Sequence, residues 1–186
     1  MAEVVEHSTQ YMTDDDIQAM AAYLKTLSPA PGKEIDLPPK QDFTTQKLLD
    51  GVYDSRGALL YVEYCQVCHR ADGKGVPRIF PALDGNSAVY SRYPDSVLQI
   101  TLSGGRMPDT PHDRMAFSMP AFNTLADADI AEVVNFIRNS WTNQASEVTV
   151  GDVVAMRHFL SKKPRVGTDL PPDLSVTHAE QGVHGE

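Results

Sequence analysis

The sequence predicts an all-α protein whose helices are joined by unusually long loops. Three observations carry this. Apolar residues recur at i, i+3, i+4 and i+7 in several segments that open on good capping residues. No segment shows sustained period-two alternation. Residues 72–86 and 103–121 are rich in Gly, Pro, Asp and Asn and carry no helical period. Loops of that length in a small domain usually wrap something.

The first helix opens at Thr13, an N-cap with Asp16 as its capping-box partner, and runs through the stripe Ile17, Met20, Ala21, Leu24 to Lys25, a cation suited to the C-terminal end of the dipole. Residues 28–40 follow with Pro29, Pro31, Pro38 and Pro39 and read as an extended connector. A second helix is expected from Asp54 or Ser55, as cap, to Tyr64. A third starts at Pro94, carries Val97, Leu98, Ile100 and Leu102, and stops at Gly104-Gly105. A fourth covers residues 127–139, with Asp127 expected to cap it in place of Ala126 and with Ile130, Val133, Val134 and Ile137 on one stripe. Thr149 and Asp152 form another capping box, and Val153, Met156 and Leu160 follow. Residues 164–186 are polar and proline-containing and are expected to be disordered.

A chain of 186 residues suits one domain with appendages. Residues 1–50 hold nine acids and four lysines, so most of the net charge of −9 lies there, which marks a boundary. The acidity argues against nucleic-acid binding. No apolar run is long enough to span a membrane. The start, Met1 to His7, lacks the basic-then-apolar pattern of an export signal.

Cys65-Gln66-Val67-Cys68-His69 is C-x-x-C-H, the attachment signature of c-type haem. Two thiols three positions apart lie on one face of a helical turn and can add to the two vinyl groups of one haem. The adjacent His69 then offers its ring nitrogen to the iron. A zinc site would need a second ligand pair, and His112 is the only other histidine in this part of the chain. A thioredoxin-like pair would follow a strand in a βαβ unit, which is not in evidence. For the iron's sixth position the candidates are Met107, Met115, Met119 and His112. Met119 is favoured: it stands fifty residues after His69, in Met119-Pro120-Ala121-Phe122, just before the fourth helix.

Residues 13–25 also align without gaps on residues 126–138, matching acids, Ile, an aromatic and a base. This suggests that the N-terminus is the last helix of a preceding copy of the same domain. Left in water the stripe would fray, or it would dock on the haem domain or on another copy of the chain; docking is the expectation.

With these motifs in hand, residues 51–141 resemble a class I cytochrome c domain. The resemblance implies that Gly57 and Tyr61 of the first domain helix meet Phe136 of the last, with the small glycine permitting a close crossing. It also implies that Pro81 gives its carbonyl to the second nitrogen of His69. Asp72-Gly73-Lys74-Gly75, Phe80-Pro81-Ala82-Leu83 and Asn135 to Trp141 extend the likeness to the multi-haem cytochrome c subunits of membrane-bound periplasmic dehydrogenases for alcohols, gluconate and related compounds.

The resulting expectation is a haem domain at 51–145, with a remnant helix at 1–27, a linker at 28–50 and an extra helix at 146–163. One covalent haem c is expected, with thioethers to Cys65 and Cys68, axial His69 and Met119, and Arg106 and Trp141 as candidates for the propionates. The resemblance implies a non-enzymatic electron-transfer subunit, periplasmic and peripheral to the membrane. Its partner would be a quinoprotein or flavoprotein catalytic subunit, and its acceptor ubiquinone or a terminal oxidase. The alternative is a haem domain with an open or labile sixth site that binds ligands or catalyses.

Overall fold

A computed structural model describes residues 2–28, 40–111 and 117–162. The expected tail at 164–186, most of the proline-rich connector, His112 and Met115 lie outside the described residues. The elements are α1 (Ala2–His7), α2 (Asp14–Thr26), α3 (Thr44–Leu49), α4 (Arg56–Tyr64), α5 (Gln66–His69), α6 (Ser87–Tyr90), α7 (Asp95–Ser103), β1 (Gly105–Arg106), β2 (Ser118–Met119), α8 (Asp127–Asn139) and α9 (Val150–Lys162). The only strands among the described residues are the two short ones. They pair antiparallel, Gly105 with Met119 and Arg106 with Ser118.

Helix α4 is capped by Ser55, whose hydroxyl accepts from the Ala58 N–H at 3.1 Å. Its inner face, Gly57, Ala58, Leu60 and Tyr61, lies against the Ile130, Val133, Val134 and Ile137 stripe of α8. A Cβ on Gly57 would collide with the Glu132 carbonyl oxygen and stand 2.7 Å from Phe136 Cβ. The helices therefore approach at a distance that only glycine allows. Tyr61, Phe136 and Trp141 close the crossing, with ring centroids 5.4 to 6.1 Å apart.

Helix α9 packs on α7 and α8 through buried Val153 and Met156. Its Thr149–Asp152 box forms as expected, with the Asp152 carboxylate accepting from the Thr149 N–H at 2.8 Å and so held below the usual carboxylate range. Asn135 fixes the start of this segment by bonding both the Val148 N–H and the Val148 carbonyl, at 2.7 and 2.8 Å.

Three sequence expectations change. The linker does not run unbroken to residue 50, because α3 forms within it, buries Leu48 in the core and offers Thr44 Oγ1 to the Trp141 N–H. Asp127 does not cap α8; Ala126 occupies the cap position, with no side-chain bond. Finally, α2 forms with its Thr13 cap but buries none of its residues. Ile17, Met20 and Leu24 are 41, 42 and 63% exposed, so the stripe does not dock on the haem domain as expected.

Two buried polar groups tie the loops to this frame. Arg138 has no exposed surface, and its guanidinium donates to the carbonyls of Val89, Ser91 and Ser146 at 2.7, 3.0 and 3.2 Å. Asn143 donates to the Leu83 and Ile137 carbonyls at 2.9 and 3.0 Å and accepts from the Gly85 N–H at 2.9 Å. It thereby satisfies a C-terminal carbonyl of α8 and holds the 83–85 turn. Asn143→Ala removes the partner of the buried Ile137 carbonyl and of the partly buried Leu83 carbonyl and Gly85 N–H, so a loss of about 2 kcal/mol is expected in denaturant unfolding. A loss below about 1 kcal/mol would show that water replaces the amide.

Candidate haem site

The end of α4 and the short α5 deliver Cys65, Cys68 and His69 to the wall of an apolar slot. The Cys65 N–H still bonds the Tyr61 carbonyl at 2.9 Å, and the His69 N–H bonds the Cys65 carbonyl at 2.9 Å. The thiol pair therefore sits on one rigid turn. Tyr61 secures its exit by donating its hydroxyl to the Arg70 carbonyl at 2.6 Å.

The slot has two lobes of about 150 and 520 Å³. Cys65, His69, Pro81 and Met119 line both. Cys68, Arg106 and Met107 line only the smaller lobe. Leu83, Val97, Val133 and Ile137 line only the larger. The walls are overwhelmingly apolar, so a flat hydrophobic group can enter while water is excluded.

His69 Nδ1 stands 3.0 Å from the Pro81 carbonyl oxygen. With its proton on Nδ1, the imidazole keeps its lone pair on Nε2, the state a metal ligand needs. Burial pushes the His69 pKa below the ordinary imidazole range, against a smaller raising effect from the Pro81 carbonyl. The Pro81 contact thus selects the tautomer, while burial favours the neutral ring.

Gly75 brings the Pro81 carbonyl close. It adopts φ of +59°, its N–H bonds the His69 carbonyl at 3.1 Å, and a Cβ there would strike the Phe80 carbonyl and lie 2.7 Å from that of Pro81. Sequence reading gave this glycine no such role. The loop's short return, with Val76 and Phe80 bridged, becomes visible only in three dimensions.

Burial, then the neighbouring Cys68, push the Cys65 thiol up to about 12. A thiol so protonated is a poor redox nucleophile near neutral pH, which argues against the thioredoxin-like reading. Among the described residues, no group of three or more His, Cys, Asp or Glu side chains is arranged to hold a metal ion.

The structure brings Cys65, Cys68, His69, Pro81, Arg106 and Met119 to one slot. Arg106 is largely exposed at its edge, with Asp109 at 3.9 Å. Trp141 is the correction. It is wholly buried and absent from the slot's lining, and its indole N–H already donates to the Ala71 carbonyl at 2.9 Å. Its donor is spent on holding the turn after His69, so it is not placed to bind a propionate. Met107 lines the smaller lobe only, whereas Met119 reaches both. The β1–β2 pairing accounts for Met119, because the strand holds its backbone opposite Gly105.

The residues present fit a covalently held haem: one thiol pair, one neutral imidazole with its second nitrogen occupied, and a thioether on an apolar wall. Residues 55–141 match the family model for cytochrome c. The chain is 42% identical over 161 residues to the cytochrome c subunit of the quinone-dependent alcohol dehydrogenase of Gluconacetobacter polyoxogenes, covering 84% of this chain and 34% of that one. It is 38% identical over 184 residues to the gluconate 2-dehydrogenase cytochrome c subunit of Pantoea cypripedii, covering 97% of this chain and 41% of that one. A fructose dehydrogenase cytochrome subunit from Gluconobacter japonicus is 28% identical over 177 residues, covering 84% of this chain and 36% of that one. The chain thus spans about a third of the length of the alcohol dehydrogenase cytochrome c subunits it matches.

Proposed function

This chain belongs, through residues 55–141, to the cytochrome c family, and on that premise we propose that it is an electron-transfer module with one haem c. Cys65 and Cys68 would hold the group covalently, and His69 and Met119 would supply its iron's two protein ligands. The observation that carries this reading is the single apolar slot on which the thiol pair, the neutral imidazole and the Met119 thioether all open. Haem, when bound, supplies a one-electron iron couple. The chain's own residues tune and protect it. Pro81 orients the imidazole, the apolar walls exclude water, and Arg106 at the slot's edge suits a propionate.

Within a larger assembly, the module carries electrons from a quinoprotein or flavoprotein dehydrogenase towards ubiquinone or a terminal oxidase. It works in the periplasm, peripheral to the membrane. The names of its relatives support a dehydrogenase partner. Helix α2 is the last helix of a preceding haem domain. Its exposed stripe, in register with the stripe by which α8 covers α4, supports this. Substrate chemistry belongs to the partner subunit.

The test is to produce the chain, behind an export signal, in a host able to attach haem. Its intact mass should rise by one haem, and that mass should survive denaturation. The ferric holoprotein should accept electrons from a substrate-fed dehydrogenase and reduce no dye with substrate alone. Loss of the haem on denaturation, or substrate-dependent dye reduction without a partner, would overturn the reading.

A further inference from the structure

Arg157 stands on α9, beyond the stretch that matches the cytochrome c model. Its guanidinium reaches back over the segment that joins Met119 to α8. Nη1 donates to the Asn123 carbonyl at 2.7 Å, Nη2 to the Leu125 carbonyl at 2.6 Å, and Nε to the Asp127 carboxylate at 2.6 Å. One planar fork thus engages three acceptors within five residues, an arrangement that lysine cannot reproduce.

That segment is the exit of the sixth-ligand loop. Upstream it is fixed by the pairing of Met119 with Gly105 and by the Phe122 N–H, which bonds the Thr101 carbonyl at 2.9 Å. Phe122 then lines the slot and packs edge-on against Tyr64, with centroids 5.8 Å apart. Downstream, the loop meets α9 through Arg157. Helix α9 is itself anchored by Val153 and Met156 in the core and by Asn135 on Val148. Arg157 therefore passes the rigidity of a core-packed helix to the strand-and-turn that bears Met119.

We propose that α9 is a clamp on the sixth-ligand loop, acting through Arg157 as a positioning residue that keeps the Met119 sulfur seated. This rests on the reading of Met119 as axial ligand. An added ligand can reach the iron only in the fraction of molecules whose loop has opened, and its apparent affinity scales with that fraction. Charge-assisted hydrogen bonds shared among three acceptors suffice to change such a fraction by about tenfold, even with the partial exposure of this pair.

The test uses the ferric holoprotein with imidazole as the probe. Arg157→Met should tighten imidazole binding about tenfold, weaken the far-red absorption of the sulfur-bound ferric state, and speed hydrogen exchange of the amides in 121–126. Arg157→Lys should fall between. Arg56→Met, which removes a comparable ion pair with Asp129 between α4 and α8, should leave imidazole affinity unchanged. A lower melting temperature for Arg157→Met with imidazole affinity within about twofold of the parent would mean support without positioning, and the proposal falls. It falls equally if exchange quickens but affinity does not, or if Arg56→Met has the same effect. Met119→Ala separates the two readings. If it leaves the far-red band intact, the axial assignment itself has failed.

Discussion

Gly57→Ala will separate α4 from α8 and lower the stability of the holoprotein by about 2 kcal/mol, in spite of alanine's better helix propensity. The added methyl meets the Glu132 backbone oxygen and Phe136 Cβ. A carbonyl within a packed helix cannot swing aside, so overpacking of about 3 kcal/mol opposes a helical gain of at most about 1 kcal/mol. For a domain of this size that is a fall of on the order of 10 °C in melting temperature. Gly57→Val should fail to accumulate folded protein. The damage would reach the site, because α4 carries the thiol turn and Tyr61 donates to the Arg70 carbonyl at its exit. An unchanged melting temperature for Gly57→Ala would mean that the crossing is looser than the structure has it.

Met119→Ala should have the largest effect on redox behaviour. A thioether ligand favours ferrous iron, so its loss should lower the reduction potential by on the order of a tenth to a quarter of the ~0.8 V that axial ligands span. The ferrous protein should then bind CO stoichiometrically, where the parent binds little. Met107→Ala should change neither property, since Met107 touches only the smaller lobe. The reverse pattern, with Met107 controlling CO access, would transfer the ligand role to that residue.

Much of the site was legible because its chemistry is local. Cys65, Cys68 and His69 lie within one turn, and any chain that places them so constrains the group they can hold. Gly57, Tyr61, Pro81 and Phe136 were expected from the resemblance, and the structure gives each a specific contact. Trp141 was misread for a physical reason. An indole N–H can serve a propionate or a backbone carbonyl, and only the position of Ala71 decides which. Arg138 was matched with Lys25 in the repeat only as a base near a helix end. The structure parts the two: Arg138 is buried with its donors on the carbonyls of Val89, Ser91 and Ser146, while Lys25 is exposed.

The sequence by itself determined the helices with complete caps and stripes, the haem-attachment turn and the neutral or slightly acidic character of the domain. These follow from spacing, local hydrogen bonds and composition, which act over a few residues. Only the tertiary structure decided the loop return at Gly75, the roles of Asn143 and Arg157, and the exposure of the α2 stripe. Asn143 and Arg157 depend on segments far apart in the chain meeting at hydrogen-bond distance, Gly75 on the return of its own loop, and the α2 stripe on whether another surface reaches it; no periodicity within one segment records what another will offer.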